Sequence, residues 1–427
     1  MEESMFSKEV VMNCVRPVGS FSVARISDVH VNAFAKVGGR ERFDSEGRNV
    51  RMERTLDALE WAIRTAVDER GCTWIVIDEL FDHHNPRPAD YLAISALFRD
   101  LFDDDETRKD RRRQWLLWRG NVSCVTFIAG NHALPYRGAG PLDVLVEMMR
   151  RAPGAPPMSV VSRPRLAEYH GVNFVMLPYL RIGAEGADMD GIRGMVPTGD
   201  SGFRSRVLFF HGTTVASNVS PGHDEIPLPT DLLKLFDVAL GGHVHKASDH
   251  YVGSLVAQNH GEANDFHGFA TLTFDGDGAI IVDKVATPAE FNLRFATINL
   301  SAMESFGATL NRINEHVADR VEFVRLRYAK EDEASIPLGK IKQHLQVNGA
   351  LSVDLAPIVP ERGPRGRSLT ISGATGPLDA LRETLAVKGE EEPGWMADTF
   401  REVIKIAEGE ARSGKGAGEE EEEEDVK

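Results

Sequence analysis

Short apolar runs rich in β-branched and aromatic residues alternate with helical patterns from residue 21 to about residue 290. This alternation is typical of a layered α/β domain. A stripe of apolar residues from Leu56 to Val67 predicts a helix that ends before Gly71. Six runs predict buried strands: FSVARI (21–26), TWIVI (73–77), CVTFIA (124–129), VNFVML (172–177), VLFF (207–210) and DVAL (237–240).

The pattern changes after residue 290 to that of a smaller α+β module. Apolar residues spaced by three and four from Met303 to Val317 predict a helix with one apolar face. We therefore predict an α/β domain over residues 1–290 and an α+β domain over residues 291–386. Within the second domain the pattern continues as a strand, a helix and a strand, over residues 321–328, 338–345 and 351–359.

The C-terminal part of the chain is predicted to be a linker, one helix and a disordered tail. Residues 387–394 have the composition of a linker, and the apolar positions between Trp395 and Ala407 predict an amphipathic helix. We place linker and helix over residues 387–413. Residues 414–427 are rich in Gly and Glu, and such a segment buries too little apolar surface to fold.

Composition indicates a cytoplasmic enzyme without a membrane segment. Hydrophobic residues make up 42% of the chain, and no stretch approaches the roughly 20 apolar residues that a membrane span needs. The N-terminus lacks the basic segment and apolar core of a secretory signal. Cys14, Cys72 and Cys124 form no CxxC pair, so we expect reduced core cysteines.

The net charge of −16 limits how the chain could bind nucleic acid. Residues 419–427 carry seven acidic residues and one Lys, which leaves −10 for the rest. A DNA-binding surface would therefore have to be a local basic patch, or be compensated by bound metal ions.

Polar clusters directly follow several of the predicted strands. In an open α/β sheet, functional sites lie at the edge formed by the carboxyl ends of the strands. Carboxylate, imidazole and amide ligands together suit manganese, iron or zinc better than calcium or magnesium alone. Two such ions about 3.5 to 4 Å apart can activate a hydroxide and stabilise both oxygens of a displacement at phosphorus. The clusters contribute Asp28 and His30, Glu79 and Asp82, Asn131 and His132, His211, and His243 and His245.

Each cluster alone also has a structural interpretation. A lone histidine in an α/β domain is more often a hydrogen-bonded structural residue than a ligand. Five clusters in order at strand ends, all with complementary ligand chemistry, favour a binuclear metal site over coincidence.

The order of these clusters resembles that of calcineurin-like metallophosphoesterases, D-x-H, G-D-x-x-D, G-N-H-D, H-G and G-H-x-H. Within that superfamily, LFDHHNPRP (80–88) resembles a segment of the SbcD-type DNA repair and recombination nucleases, including their bacteriophage counterparts. GSL at 253–255, GE at 261–262 and GF at 268–269 are similar to the segment that follows the last motif. The resemblance covers about residues 20 to 275.

The resemblance implies a layered metallophosphoesterase β-sandwich flanked by helices, with residues 291–386 as an α+β capping domain that steers DNA. It also implies two divalent metal ions, Mn²⁺ above all. Glu79 would bridge both ions. His132 would be the catalytic residue, standing near the scissile phosphate to stabilise the transition state or to protonate the leaving oxygen. A first ligand set would comprise Asp28, His30 and His245, and a second ligand set Asn131, His211 and His243.

The implied partners are double-stranded DNA ends, single-stranded DNA and an SbcC-like coiled-coil ATPase. The ATPase would dock on the helix at 395–407, unless that helix packs back on its own capping domain. GEARSGKG (409–416) has Gly416 where a phosphate-binding loop needs Ser or Thr, so no ATPase is expected in this chain. Related nucleases are often dimers, but no distinctive dimer motif occurs here, and a homodimer stays open.

Two positions depart from the pattern of the resembled family. Glu79 stands where the family has the bridging Asp, preceded by Asp78 instead of Gly, and Ala133 replaces the Asp of G-N-H-D. Asp78 could take the bridging role instead, or one metal could be held weakly. Losing a residue that orients a catalytic histidine or a ligand commonly reduces activity or affinity by ~10 to 100-fold. A catalytically impaired scaffold, or a metallophosphoesterase for a non-DNA phosphoester, are therefore the alternatives.

Two basic segments are candidates for contact with DNA. Lys36, Arg40, Arg42 and Arg48 lie in a polar loop over residues 31–49, which could meet the DNA backbone or be a solvated surface loop. RKDRRR at 108–113 follows DDDE at 103–106, and mutual neutralisation is the favoured interpretation.

Overall fold

The structure is a computed structural model of the chain. Several predictions fall outside the residues it describes: those on Cys14, Arg42, residues 108–113, the helix at 395–407 and the tail. The predicted domain boundaries stay predictions. The described residues are 20–37, 40–41, 43, 48–102, 122–134, 140–150, 155–183, 187–196, 205–217, 219–275, 279–317 and 321–358.

Strands and helices alternate through most of the described chain. The strands are β1 (Phe21–Ile26), β2 (Lys36–Val37), β3 (Arg40–Glu41), β4 (Cys72–Asp78), β5 (Cys124–Ile128), β6 (Met158–Val161), β7 (Arg165–Tyr169), β8 (Val172–Leu177), β9 (Ser205–His211), β10 (Val238–Gly242), β11 (Gly268–Phe274), β12 (Ile280–Ala286), β13 (Phe295–Asn299), β14 (Phe323–Ala329) and β15 (Ser352–Ile358). The helices are α1 (Val50–Arg64), α2 (Pro88–Phe102), α3 (Pro141–Arg150), α4 (Met189–Met195), α5 (Thr230–Leu233), α6 (Phe306–Val317) and α7 (Leu338–Val347).

Two mixed sheets carry the strands that precede the polar clusters. The larger has the order β12-β11-β1-β4-β5-β6, and the smaller β10-β9-β8-β7. Strands β1, β4, β5 and β6 run parallel to their neighbours in that series, as do β8, β9 and β10. The carboxyl ends of β1, β4 and β5 are therefore adjacent, and so are those of β9 and β10.

The two sheets pack face to face, and helices cover their outer faces. Trp74 and Val76 of the larger sheet share one apolar cluster with Phe174 and Phe209 of the smaller. Ile75, with the other residues on its face of the larger sheet, points to the opposite side. There it packs in a second apolar cluster with α1, α2 and α3. Strand side chains alternate between faces, so the fully apolar runs bury both sides. The chain is mixed α/β, as predicted.

Helix α1 confirms the stripe that predicted it. The Asn49 side chain accepts a hydrogen bond from the backbone N–H of Met52 at 3.1 Å, which caps the first turn. Leu59 and Ile63 are buried in the core. The helix continues as one π-helical turn over Thr65–Glu69, and Gly71 follows with φ +63°. The buried, unpaired thiols expected at Cys72 and Cys124 are also confirmed.

The smaller module consists of a three-stranded sheet, β13-β14-β15, covered by α6 and α7. One detail of its prediction is wrong. Met303 was expected on the apolar face of the helix, but it is 95% exposed and precedes α6. The Ser305 hydroxyl accepts a hydrogen bond from the backbone N–H of Ala308 at 3.2 Å, so the helix starts only after Ser305.

The segment after the first polar cluster is also more ordered than the polar loop that was predicted. Lys36–Val37 pairs with Arg40–Glu41 in a short antiparallel hairpin, and Ala33 and Ala35 are buried. None of the helices that the structure describes is long and apolar enough to cross a membrane.

Candidate metal centre

The backbone of four predicted ligands adopts the left-handed conformation. The φ angles are +51° at Asp28, +55° at His30, +39° at Glu79 and +87° at His243. For residues other than Gly, Asn and Asp, such angles are uncommon and cost on the order of 1 to 3 kcal/mol each. The four residues follow β1, β4 and β10, so their side chains lie at the carboxyl ends of these strands, on the same edge of the two sheets.

The first ligand set converges on one point. The Nε2 atoms of His30 and His245 lie 3.1 Å apart. A carboxylate oxygen of Asp28 is 3.8 Å from the first of these nitrogens and 3.9 Å from the second. The Asp28 carboxylate is held in place by the Ser27 hydroxyl at 2.6 Å and by the backbone N–H of His243 at 3.0 Å. Two nitrogens and one oxygen are thus grouped as a divalent ion requires.

The second ligand set converges beside it. The Oδ1 atom of Asn131 is 3.1 Å from His211 Nε2 and 3.0 Å from His243 Nδ1. A carboxylate oxygen of Glu79 lies 3.1 Å from the same His211 nitrogen. The larger sheet contributes Asn131 and Glu79 and the smaller sheet contributes the histidines, so this set spans both sheets.

In the first ligand set, an acidic side chain lies behind each histidine, on the nitrogen that faces away from the ligand cluster. His245 Nδ1 hydrogen-bonds with Glu262 at 3.0 Å, and His30 Nδ1 is 3.4 Å from Asp82. Carboxylates in this position orient metal-binding imidazoles and raise their basicity.

The second ligand set has the same arrangement. His211 Nδ1 is 3.2 Å from Asp78, and His243 Nε2 is 3.7 Å from Glu225. Glu225 is buried and accepts backbone hydrogen bonds from Thr213 and Gly222. All four candidate histidine ligands therefore present one nitrogen to the cluster and the other to a carboxylate.

Asp78 is tied to a buried arginine. Its carboxylate forms a salt bridge with Arg25, and both side chains are fully buried. The other carboxylate oxygen accepts the backbone N–H of Asp28 at 3.0 Å, and Arg25 donates to the carbonyl of Phe210 at 3.1 Å. Asp78 and Asp28 also lie within reach of His211, but the guanidinium already supplies a cation there. We therefore interpret Asp78 as a support for ligands.

Buried charge in this region is unbalanced without a further cation. Asp28, Asp78 and Glu79 are fully buried, and the buried basic groups that face them are the Arg25 guanidinium and the His211 imidazole. Uncompensated buried charge is strongly unfavourable, and bound cations are one way to balance it. The donor set and this charge excess both fit divalent metal ions.

The pKa values of the buried groups follow from this crowding. Burial and Asp78 oppose ionisation of Asp28, yet His245, His211 and His30 lower its pKa overall. Burial disfavours a charged His211, but Asp78 and Glu79 raise the pKa of His211 well above its usual value. A metal ion that binds this histidine would have to compete with its protonation.

The longer side chain of Glu79 folds under the loop that carries Asn131. Its two carboxylate oxygens lie 3.1 and 3.2 Å from the backbone nitrogen of His132, and a Cβ atom at Gly130 would overlap one of them. The same Cβ would lie 2.7 Å from His211 Nε2. Contact with the second ligand set is thus direct, while bridging to the first ligand set stays a prediction.

His132 lies at the mouth of the cluster. Its ring meets that of His30 edge to face at 5.6 Å, and the exposed His84 ring stacks on it at 5.7 Å. Burial lowers the pKa of His132. Ala133, where the resembled family has Asp, is buried in the apolar core, so no carboxylate orients His132 from that position.

A cavity of about 200 Å³ opens onto both ligand sets. Arg51, Gln258 and Glu225 were not predicted, because they lie far from the motifs in sequence and no local pattern marks them. Glu262 stood in the GE pair, but no role was predicted for it. The cavity is lined by Asp28, His30, Arg51, Asp82, Asn131, His132, His243, His245 and Gln258.

No protein-family model matches the chain, and no curated protein matches it. The functional assignment therefore depends on the geometry of these residues and on the order of their motifs.

Proposed function

We propose that the chain is a two-metal phosphodiesterase that hydrolyses DNA, built on the layered β-sandwich of calcineurin-like metallophosphoesterases. The observation that carries the proposal is the convergence of two ligand sets on one cavity, with a carboxylate behind every histidine. Histidines that bind a metal commonly have a carboxylate next to their second ring nitrogen, whereas histidines with only a structural role do not require one.

The residues present fit two divalent ions, and we propose Mn²⁺ for both. Asp28, His30 and His245 would hold one, and Asn131, His211 and His243 the other, with Glu79 between them. Bound there, the ions would supply an activated hydroxide and neutralise charge at the phosphorus. The hydrogen bond of His245 Nδ1 with Glu262 would leave Nε2 of that ring available for the metal.

His132 is the residue that we assign to the reacting phosphate. Its lowered pKa keeps the imidazole neutral near pH 7. A neutral imidazole still donates one N–H, which favours hydrogen bonding to the transition state over release of a proton from imidazolium. His84, stacked on the ring at 5.7 Å, restricts its orientation.

DNA is proposed as the substrate from the segment at 80–88, which borders the cavity. Asp82 lines the cavity and His84 packs on His132. Double-stranded ends, with single strands as a second substrate, follow from the same resemblance, as does an SbcC-like ATPase partner. Arg54 of α1 donates to Glu322 of the α+β module at 3.0 Å and to the carbonyl of Glu290, just before that module, at 3.1 Å.

A catalytically impaired scaffold is the second candidate, and one observation favours it. The contacts of the Glu79 carboxylate are with His211 and the His132 backbone, on the side of the second ligand set. If Glu79 does not reach the first ligand set, that ion loses its bridging ligand. The chain would then bind DNA ends and the ATPase without cutting efficiently.

One experiment separates the two candidates. Purified protein is incubated with linear duplex and single-stranded DNA in Mn²⁺, with and without the ATPase partner, beside His132→Ala and the matched control His250→Ala. His250 is exposed and does not line the cavity. We expect His132→Ala to lower the cleavage rate by ~10² to 10⁴-fold and the control to leave it unchanged.

Undiminished cleavage by His132→Ala would remove our assignment of that residue. Absence of cleavage with any metal, together with cleavage by a Glu79→Asp, Ala133→Asp double variant, would establish the scaffold. Cleavage of a small phosphodiester but no DNA would favour a non-DNA substrate.

A further inference from the structure

Arg51 stands out among the residues that line the cavity, because it is the cationic side chain in a wall made of carboxylates, imidazoles and amides. It belongs to the first turn of α1 and is partly buried. Neither the metal ligands nor His132 account for it. Moving a guanidinium out of water is costly, and a role in binding at this cavity would account for the position of Arg51.

The guanidinium is held by a neutral amide whose own orientation is fixed. Arg51 donates a hydrogen bond to the side-chain oxygen of Gln258. The amide nitrogen of Gln258 donates to the carbonyl of Val256 at 3.3 Å, and its backbone N–H donates to Glu262 at 2.8 Å. Because the amide donates on one side, its oxygen must face Arg51.

Arg51 lines the same cavity as Asp28, His30 and His245 of the first ligand set. Asp82 and Glu262 favour its charged form against the effect of burial, which lowers the pKa of Arg51. These are the two carboxylates that lie behind His30 and His245. An arginine remains protonated under such conditions. Its positive charge is therefore fixed at the rim of the proposed metal centre.

We propose that Arg51, supported by Gln258, forms an anion subsite for a nonbridging oxygen of a phosphoester. The inference rests on the proposed function, since it names how that site would hold its substrate. A planar guanidinium matches the geometry of phosphate oxygens and can donate two hydrogen bonds to them. The subsite would select anionic phosphoesters over neutral esters of the same size.

The expected kinetic effect is on substrate binding. A contact made equally in the ground state and the transition state changes KM and leaves kcat nearly constant. With a p-nitrophenyl ester of thymidine 5′-phosphate, Arg51→Gln should raise KM about 10 to 100-fold, the loss expected for hydrogen bonds to a charged group. Arg51→Lys keeps the charge but lacks the planar guanidinium, so its KM should lie between those of the wild type and Arg51→Gln.

Arg64→Gln is the matched control. Arg64 belongs to the same helix, pairs with Glu60 and does not line the cavity. Arg64→Gln removes the same charge as Arg51→Gln, so a general electrostatic effect would appear in both variants. Gln258→Leu tests the support without changing charge and should raise KM less than Arg51→Gln does.

A second readout separates this subsite from hydrolysis itself. Binding of inorganic phosphate to the Mn²⁺-loaded full chain is measured by titration calorimetry for the wild type and the same variants. We expect Arg51→Gln to weaken phosphate binding about 10 to 100-fold and Arg64→Gln to leave it unchanged.

The outcomes are distinct. Phosphate binding that depends on Arg51, in a protein that cuts no phosphodiester, would support the subsite and overturn the proposed hydrolase. Hydrolysis with unchanged KM and unchanged phosphate affinity in Arg51→Gln would overturn the subsite alone. If Arg51→Gln fails to fold, unchanged values in both Arg51→Lys and Gln258→Leu would overturn it equally.

Discussion

Single residues at this centre hold conformations and charges that would be unfavourable elsewhere. His30, Glu79 and His243 adopt positive φ angles without being glycine. Asp28 and Asp78 are buried side by side. Strain and like-charge contact of this kind persist only where the surrounding structure enforces them, and they concentrate at functional sites.

The buried pair of Arg25 and Asp78 gives the first prediction. Asp78→Asn removes the partner of a buried guanidinium, and breaking such a pair typically costs about 3 to 5 kcal/mol. We expect a loss of that size in the unfolding free energy of the metal-free protein, measured by urea denaturation. The exposed Glu168→Gln on β7 is the control and should change stability by less than about 0.5 kcal/mol. An equally small effect of Asp78→Asn would contradict the role of the pair.

Acid sensitivity gives the second prediction. Burial opposes ionisation of Asp82, but its contacts with His30 and Asn32 lower the pKa of Asp82 to about 2. A carboxyl with a depressed pKa stabilises the fold above its unfolded pKa of about 3.9, and this contribution is lost as the pH falls towards the folded value. The urea midpoint of the metal-free protein should therefore fall between pH 4 and pH 2, and less in Asp82→Asn. A variant with the same pH profile as the wild type would show that Asp82 is not the group responsible.

Not every residue of the centre could be found from the sequence. Asp28, His30, Asn131, His211, His243 and His245 follow apolar strand patterns, and the structure groups them as two ligand sets. Only the fold brings Glu225 to His243 and Arg51 to the cavity, since they lie in a loop and in a helix start without any local signal. The pairing of Asp78 with Arg25 was missed because β1 and β4 are adjacent only in the folded sheet.

At the scale of elements, the strand ends and the turns after them position the chemistry. Register places Gly242 of β10 beside His211 of β9, and Asp78 of β4 beside Ile128 of β5. The buried strands were predictable because they are continuous apolar runs. Strand β12 was missed because most of its residues are exposed or half-exposed, so its hydrophobic signal is weak. The start of α6 was misplaced because a serine cap outweighed the apolar spacing.

Gly130 tests the turn that follows β5. A Cβ atom there would overlap the Glu79 carboxylate and lie 2.7 Å from His211 Nε2. Gly130→Ala should therefore displace the loop and reduce bound metal below two ions per chain at saturation, measured by elemental analysis of dialysed protein. Gly194→Ala in α4 is the control, because a Cβ atom there meets nothing within 4 Å. Two retained ions in Gly130→Ala would contradict the close packing of Glu79 against this turn.

For the whole molecule, each ligand set draws on both sheets. The first ligand set combines Asp28 and His30 after β1 with His245 after β10. The second combines Asn131 after β5 with His211 at the end of β9. The candidate centre therefore exists only when the two sheets are packed, and any metal binding there would be linked to the stability of the fold. With a net charge of −16, a surface that meets a phosphate backbone would need a local basic patch or bound cations.

The binuclear centre is tested most directly by anomalous diffraction from crystals of the full chain grown or soaked in Mn²⁺. We expect two peaks about 3.5 to 4 Å apart, one ligated by His30 and His245 and the other by His211 and His243. A single peak, or two peaks away from these histidines, would contradict it.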